Sequence, residues 1–440
     1  MLDPYLNPER LAKAEISQAE SVGHNCSDMS ERLEKLPKDN LTDRQIAEAE
    51  SIYNEALALA TPTEYPYCEP STLTDIRKES PQSEQPCGHS LSEQALRDRI
   101  LGGWLGRAAG CLLGKPVEGW SRQRICNALE GVASYPLDDY FPEIPPDEGA
   151  GFHGMPKAWT RGNITRAPRD DDTDYTILGL HVLQTRGPAF TTEDVGNAWL
   201  ELLPYRKTYT AERVAYRNLV NGLRPPETAT HLNPYREWIG AQIRADAFGY
   251  ASPGLPELAA EMAFRDASLS HVANGIYGEM WVAAMIAGAF ITDDVEQVIE
   301  IGLGEIPHNC RLAEAVRRTV DWCTEETDWE KVRDKIDADY GSLHGVHTIN
   351  NACLVTLGLM KAEGDFGRGI CISVMGGWDT DCNGATAGSV LGVMLGADNL
   401  PSKWVAPLND TLESAIFGFA SNSMADLADR TLAVSRKITA

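Results

Sequence analysis

The stretch that decides the fold of this chain reads Gly376-Gly377-Trp378-Asp379-Thr380-Asp381-Cys382-Asn383-Gly384-Ala385. Two carboxylates, Asp379 and Asp381, follow a pair of glycines, and a helix rich in small residues is expected over 385–396. Apolar runs at 370–375 and 390–395 indicate that the loop between them is buried. Buried carboxylates need a partner, and few lysines or arginines lie near these two in sequence.

A second acidic cluster, Asp170-Asp171-Asp172-Thr173-Asp174, lies about 200 residues upstream and opens an apolar run over 175–183. An aspartate run before a helix is usually an N-cap with solvated neighbours. Two such clusters, each at the expected start of a helix, also match a site for Mg²⁺, which takes about six oxygen ligands. Considered together, the clusters favour the metal site, and we expect them to converge in one cleft.

Composition limits the classes of function. The 440-residue chain has a formal charge of −25, which argues against a general binder of nucleic-acid backbones. No segment reaches the ~18 uninterrupted apolar residues of a membrane-spanning helix, and the N-terminus has no secretory signal pattern. The ten cysteines are scattered without CxxC spacing, which is typical of a reducing compartment. We therefore expect a cytoplasmic protein without nucleic-acid or membrane partners.

The chain divides into two parts of different composition. Residues 1–90 are polar, with one clear helical stretch over 42–60 and a linker-like stretch over 61–89 that is rich in Pro, Ser, Thr and Glu. From residue 91 onward helical periodicity dominates and strand-like alternation is almost absent. We predict an N-terminal extension and linker over 1–90 and a compact, multi-helix all-α domain over 91–440.

Apolar spacing predicts the individual helices of this domain after an opening helix at whose start Ser90 and Glu93 fit a capping box. They cover 173–185, 193–203, 211–222, 235–248, 256–268, 275–290, 293–302, 309–325, 329–339, 348–362, 366–375, 383–396 and 409–429. The irregular stretch 135–167 is long and rich in Pro and Gly, as functional loops and lids often are.

Four motifs in this order resemble those of the ADP-ribosylglycohydrolase family, over roughly residues 95–430. They are the opening helix from Ile100 to Glu118, Asp170-Asp171-Asp172-Thr173, Asn274-Gly275-Ile276-Tyr277-Gly278, and Gly377-Trp378-Asp379-Thr380-Asp381. The second and fourth motifs carry most of the specificity because they recur at the expected separation.

The resemblance implies an all-α fold that holds two Mg²⁺ ions, with Mn²⁺ as an alternative ion, and hydrolyses an N- or O-glycosidic bond at the anomeric carbon of ADP-ribose. Carried over by motif, the metal ligands are Asp170, Asp171, Asp172, Asp379 and Asp381. The catalytic carboxylate is Glu118. The residues expected near the substrate are His271, Asn274, Gly275 and Tyr277.

Three positions depart from the family pattern. Asp170 stands where Thr or Ser is common, Cys382 stands where the last motif ends in Thr, and Trp378 is inserted before Asp379. A thiol is a poorer Mg²⁺ ligand than a hydroxyl. Either the extra carboxylate of Asp170 compensates or the second ion binds weakly, and the substrate is expected to differ from that of the best-studied members.

Three functions remain open at this point. The first is the Mg²⁺-dependent hydrolase, acting on an ADP-ribosylated protein or on a small ribosyl compound such as a nucleoside. The second is a non-catalytic structural protein with a degraded metal site, which the five retained aspartates disfavour. The third is an unrelated all-α phosphohydrolase, a class that usually relies on His-Asp pairs, and neither acidic cluster has an adjacent histidine.

Overall fold

The computed structural model describes residues 3–81, 91–146 and 154–438. Helices make up most of these residues, which confirms the predicted all-α class. The N-terminal part contains α1 (Pro8–Ser21), α2 (Ser27–Leu33), α3 (Asp43–Leu57) and α4 (Leu73–Glu79). The next seven helices are α5 (Glu93–Gly114), α6 (Arg122–Gly131), α7 (Asp171–Arg186), α8 (Thr192–Leu202), α9 (Thr210–Val220), α10 (Glu227–Thr230) and α11 (Asp246–Ala251).

The remaining helices build the centre and the C-terminal side of the core. They are α12 (Pro256–Ala267), α13 (Ala273–Gly288), α14 (Val295–Leu303), α15 (Arg311–Glu325), α16 (Trp329–Tyr340), α17 (Thr348–Met360), α18 (Phe366–Met375), α19 (Thr380–Leu395), α20 (Ser402–Val405) and α21 (Met424–Ile438). Two short antiparallel strands, β1 (Thr411–Glu413) and β2 (Ser421–Ser423), precede α21. Within the described residues, no helix is long and apolar enough to cross a membrane.

Two predicted helices, 235–248 and 409–429, were wrong over their first parts. Residues 235–241 are not helical, because the Ile239 N–H donates to the Val346 carbonyl and the backbone of Trp238 pairs with that of His347. Residues 411–423 form the β1–β2 hairpin. The two residues before it, Asn409 and Asp410, have positive φ values of 48° and 47°. Left-handed backbone at two successive residues cannot continue a helix.

The close pairing of α5 with α19 organises the core. Glycines recur every four residues on both helices, and the helices run antiparallel with Gly102 facing Gly392, Gly106 facing Gly388 and Gly110 facing Gly384. A methyl group on Gly106 would lie 2.1 Å from the Gly388 carbonyl oxygen, so the two backbones touch directly. This pairing brings the C-terminal end of α5 beside the N-terminal end of α19.

A backbone contact fixes the loops that leave these two helix ends. The Gly119 N–H donates to the Trp378 carbonyl at 2.9 Å, and the Trp378 N–H donates to the Trp120 carbonyl at 3.0 Å. Gly377 has φ +84°, and a Cβ there would lie 2.7 Å from the Arg122 nitrogen. Glycine is therefore required at this turn, which holds residue 118 next to residue 379.

The N-terminal part packs against the rest of the molecule. The apolar face of α1 shares a buried cluster with α3 and with side chains between residues 211 and 238. Glu15 makes a bidentate ion pair with Arg236, with both N–O distances at 2.7 Å. Gln18 donates to Glu237, which also binds Arg311. Helix α1 is thus held by polar contacts as well as apolar ones.

Replacing Gly106 with alanine should lower the free energy of unfolding by about 1–3 kcal/mol or more, because the added methyl group forces the two backbones apart. The matched control is Gly131→Ala at the end of α6, where no atom of the described chain lies within 4 Å of the new Cβ. Denaturant unfolding of both variants checks this expectation. Equal stabilities would contradict the direct backbone contact between α5 and α19.

Candidate active site and metal centre

A cavity of about 610 Å³ opens where the starts of α7 and α19 meet the end of α5. This volume suits a small-molecule ligand. Seven of its lining residues are acidic: Glu118, Asp170, Asp171, Asp172, Glu212, Asp379 and Asp381. The structure therefore brings together the two aspartate clusters and the predicted catalytic glutamate, although about 200 residues separate the clusters in sequence.

Asp170 is the N-cap of α7, and both of its carboxylate oxygens already have partners within the protein. Its Oδ1 accepts the Asp172 N–H at 3.2 Å as an N-cap, and its Oδ2 pairs with the Lys115 ammonium. Burial acts to raise the pKa of Asp170, but Lys115 outweighs it and holds the pKa below the usual value. This carboxylate is therefore charged and neutralised within the protein.

Asp172 lies two residues further along, in the first turn of α7, and is fully buried. The Arg107 guanidinium donates to its backbone carbonyl at 2.7 Å and lies 3.4 Å from its Oδ1. The Cys382 thiol is 3.3 Å from its Oδ2 and donates to it. Burial raises the pKa of the Cys382 thiol well above its usual value, followed by the charge of Asp172. Cys382 is thus a neutral hydrogen-bond donor rather than a thiolate.

Asp379 and Asp381 form the start of α19. The Asp379 N–H donates to the Asn351 side-chain oxygen at 3.2 Å, and its own carboxylate does not cap the helix. Among the described residues the buried Oδ1 of Asp381 has no hydrogen-bond partner. Burial, then the charge of Glu118, raises the pKa of Asp381 well above its usual value. A buried carboxylate oxygen without a partner needs a cation or a proton.

The charges around the cavity do not balance. Of the seven carboxylates, Glu212 pairs with Arg244 at 2.9 Å, and the other six face Lys115, Arg107 and Arg169. Arg107 also neutralises Asp246 at 2.8 Å, and Arg169 also pairs with a further aspartate of α7. Ligand oxygens of Asp379, Asp381 and the Cys382 sulfur approach within 4.8 Å of one another, as do those of Cys111, Asp170 and Asp172. Excess negative charge on closely spaced carboxylate oxygens fits a hard divalent cation.

Glu118 follows a short 3₁₀ turn at Lys115–Val117, after α5. Its side chain lines the cavity and is exposed to solvent there, and partial loss of hydration and then the neighbouring Asp379 and Asp170 raise its pKa to about 7. A carboxylate with a pKa near neutrality can accept and return a proton at physiological pH. Glu118 is therefore suited to acid–base chemistry.

The four residues predicted to contact substrate do not line the cavity. His271 hydrogen-bonds Ser270 at 2.8 Å, and the Tyr277 hydroxyl donates to the Pro70 carbonyl. Asn274 donates to Glu237 at 3.3 Å and accepts from the backbone of α15. A Cβ at Gly275 would lie 2.5 Å from the Arg236 carbonyl. The four lie where the N-terminal part docks, and their contact with substrate stays a prediction from the resemblance.

Sequence reasoning also missed part of the cavity wall. The described residues of the stretch 135–167 do not line it; Tyr140, for example, donates to the Trp404 carbonyl at 2.7 Å instead. Residues of the N-terminal part line it in their place, together with Tyr209, Trp238 and His344. Aromatic and basic residues at scattered positions carry no local pattern that could have identified them.

The fold and the cavity define an all-α protein with a carboxylate-lined site at the starts of two helices. A family model described as ADP-ribosylglycohydrolase matches residues 92–438. The chain therefore belongs to the ADP-ribosylglycohydrolase family, and membership supports hydrolysis of a glycosidic bond as the general activity.

Comparison with other proteins adds little on the substrate. No curated protein matches the chain at a significant level. A solved structure described as an ADP-ribosylglycohydrolase-related protein complex is similar at 22% identity and a TM-score of 0.49. That match covers 78% of this chain and 99% of the other.

Replacing Asp381 with asparagine should have opposite effects with and without a divalent cation. Removing one of several crowded negative charges should raise the thermal midpoint without added ions by roughly 1–4 °C. The same change should remove most of the stabilisation given by MgCl₂, because a ligand is lost. Thermal unfolding with and without MgCl₂ measures both effects, and the exposed Asp321→Asn on α15 is the control. A variant that keeps the full ion-induced shift would show that Asp381 is not a ligand.

Proposed function

We propose that the cavity is the active site of a Mg²⁺-dependent glycohydrolase that cleaves an N- or O-glycosidic bond at the anomeric carbon of ADP-ribose or a related ribosyl compound. The observation that carries the proposal is the excess of carboxylates around one cavity, including the buried, orphaned Oδ1 of Asp381. The general activity of the family agrees with it.

The residues that would hold the ions are Asp171, Asp172, Asp379 and Asp381, with Asp170 as the fifth candidate. Asp171 is the most open of the first cluster, with 28% of its side chain exposed. One carboxylate oxygen of Asp170 pairs with Lys115 and the other accepts the Asp172 N–H as the N-cap, so Asp170 is the least available ligand of the five. Bound Mg²⁺ supplies positive charge that orients ribose hydroxyls and makes a water more acidic.

Glu118 would handle the proton. Hydrolysis forms a bond from a water oxygen to the anomeric carbon and breaks the bond from that carbon to the leaving nitrogen or oxygen. Glu118 is placed to accept the proton that the water loses and to return it to the leaving atom. Its raised pKa suits both steps, because neither direction of proton transfer is then strongly uphill.

The non-catalytic alternative predicts a different cavity. In a degraded site, neutral side chains or protein cations would be expected to relieve the crowding of charge, because uncompensated buried carboxylates destabilise the fold. Here Asp170 is relieved by Lys115, whereas burial raises the pKa of Asp171, Asp172 and Asp381 well above the usual value. This arrangement favours a site that works with a bound cation.

A substrate panel tests the function directly. The full chain with MgCl₂ would be incubated with ADP-ribosylated peptides linked through nitrogen or oxygen, with ADP-ribosyl small molecules and with nucleosides. Released ADP-ribose or ribose would be measured by mass spectrometry. We expect release from at least one class and its loss with a chelator. Absence of release across the panel would contradict the proposal and favour the non-catalytic alternative.

On the substrate so identified, Glu118→Gln should lower kcat by ~10²–10⁴, because the amide keeps the size of the side chain but cannot take a proton. Mg²⁺ affinity should change little. The control is Glu50→Gln, at an exposed position on α3. Turnover above about half of the wild-type value would contradict the acid–base role, and an equal loss of Mg²⁺ binding would make Glu118 a ligand.

Cys382→Thr should keep or tighten Mg²⁺ binding in a calorimetric titration. The hydroxyl can donate to Asp172 as the thiol does, and it is a harder ligand if it faces the ion. Cys382→Val is the matched control, since valine has the shape of threonine without a donor, and it should weaken binding. Weaker binding by the threonine variant, or no difference between the two variants, would contradict this account of Cys382.

A further inference from the structure

One wall of the cavity comes from outside the part of the chain that matches the family. The family match begins at residue 92, whereas the first helix of the chain and the turn before it line the cavity mouth. The lining residues of this segment are Pro4, Tyr5, Arg10, Lys13, Ala14 and Ser17.

This wall is held in place by buried contacts rather than lying loosely on the surface. Asp3 pairs with Arg213 and accepts from the Tyr205 hydroxyl at 3.0 Å. Further along α1, Glu15 pairs with Arg236. Leu11, Ala12 and Ile16 on the same helix are buried in the interface. The cavity is therefore incomplete without the N-terminal segment.

Arg10 and Lys13 differ from the other cations of the cavity. Lys115 and Arg169 are each paired with an aspartate. Arg10 and Lys13 lie three residues apart on one face of α1, are exposed, and make neither an ion pair nor a side-chain hydrogen bond within the described residues. The cavity wall therefore combines opposite charges from two segments: aspartates and Glu118 from the part that matches the family, and two exposed, uncommitted cations from α1.

A flat aromatic surface lies near these two cations. The rings of Trp238 and His344 stack with centroids 4.0 Å apart and planes inclined by 13°, and both residues line the cavity. Burial and then the charge of Lys13 lower the pKa of His344, so the ammonium acts on that ring. The charge of Arg10 likewise acts on Tyr235, another lining residue. A planar ring with a phosphate nearby would match this combination.

We propose that the N-terminal segment completes the substrate site, and that Arg10 and Lys13 bind a phosphate of the ribosyl substrate. This rests on the proposed function for the position of the ribose at the carboxylates. A phosphate is repelled by the carboxylates and attracted by the two cations, so the charges also orient the ligand. Phosphorylated ribosyl compounds should therefore bind in preference to neutral nucleosides.

The test compares ligands that differ by a phosphate. AMP, ADP-ribose and adenosine would be titrated calorimetrically into the full chain with MgCl₂. The variant is Arg10→Ala/Lys13→Ala, and the control is Lys35→Ala/Arg44→Ala, which removes the same charge from exposed positions of the same segment outside the cavity.

We expect the cavity variant to bind AMP and ADP-ribose about tenfold or more weakly than wild type, since charge-assisted contacts to phosphate are lost. Adenosine binding and the Mg²⁺-induced thermal shift should stay within about twofold and within error, respectively, and the control should bind all three ligands like wild type. The proposal is overturned if the wild-type protein does not bind the phosphorylated ligands more tightly than adenosine. It is also overturned if the cavity variant weakens adenosine binding equally, or if the control variant loses as much affinity for the phosphorylated ligands.

These outcomes are separate from those of the proposed function. Phosphate-dependent binding through Arg10 and Lys13 without turnover of any ribosyl substrate would contradict the glycohydrolase and leave this inference standing. Turnover that is indifferent to the phosphate and to both side chains would do the reverse.

Discussion

The backbone contact between α5 and α19 is the constraint on which the rest of the structure depends. Glycines at four-residue spacing on both helices let the two axes approach until carbonyl oxygens meet Cα atoms. Because the helices are antiparallel, this contact decides that the loop after α5 and the start of α19 are neighbours. Glu118 and the pair Asp379 and Asp381 therefore face one cavity. Gly377 then fixes the distance between the two loops, since no side chain fits between it and the backbone at residue 122.

The crowded carboxylates of the site lower the stability of the fold. Carboxylates crowd at the N-terminal ends of α7 and α19, where the helix dipoles relieve only part of their charge, an effect worth about 0.3–1 kcal/mol each. Lys115 relieves Asp170, and Arg107 relieves Asp172 in part. Violations of this kind in an otherwise well-packed fold are expected at functional sites. The surrounding core, which buries large side chains such as Trp104 and Trp281 completely, supplies the stability that the site lacks.

Sequence reasoning located the acidic residues of the site better than the remaining walls of the cavity. The two aspartate clusters could be found because clustered charge beside apolar helices is a local pattern, and most helices followed from apolar spacing. The hairpin at 411–423 was missed because two left-handed residues override a pattern that looks helical. The docking of α1 could not be predicted, because it depends on pairs such as Glu15–Arg236 and Gln18–Glu237, more than 200 residues apart. Nothing local marks either partner.

The acidic residues of the cavity and the two cations of α1 come from different parts of the chain. All seven acidic lining residues belong to the part of the chain that matches the family, whereas Arg10 and Lys13 precede it. Substitutions on α1 can therefore change which ligands are attracted without disturbing the carboxylates that are proposed to act on the ribosyl bond. The converse also holds, because the anchoring pairs of α1 involve Arg213, Arg236 and Glu237 rather than any acidic residue of the cavity. The proposed electrostatic selection by α1 and the proposed bond cleavage by the carboxylates would thus be carried by segments that can vary independently.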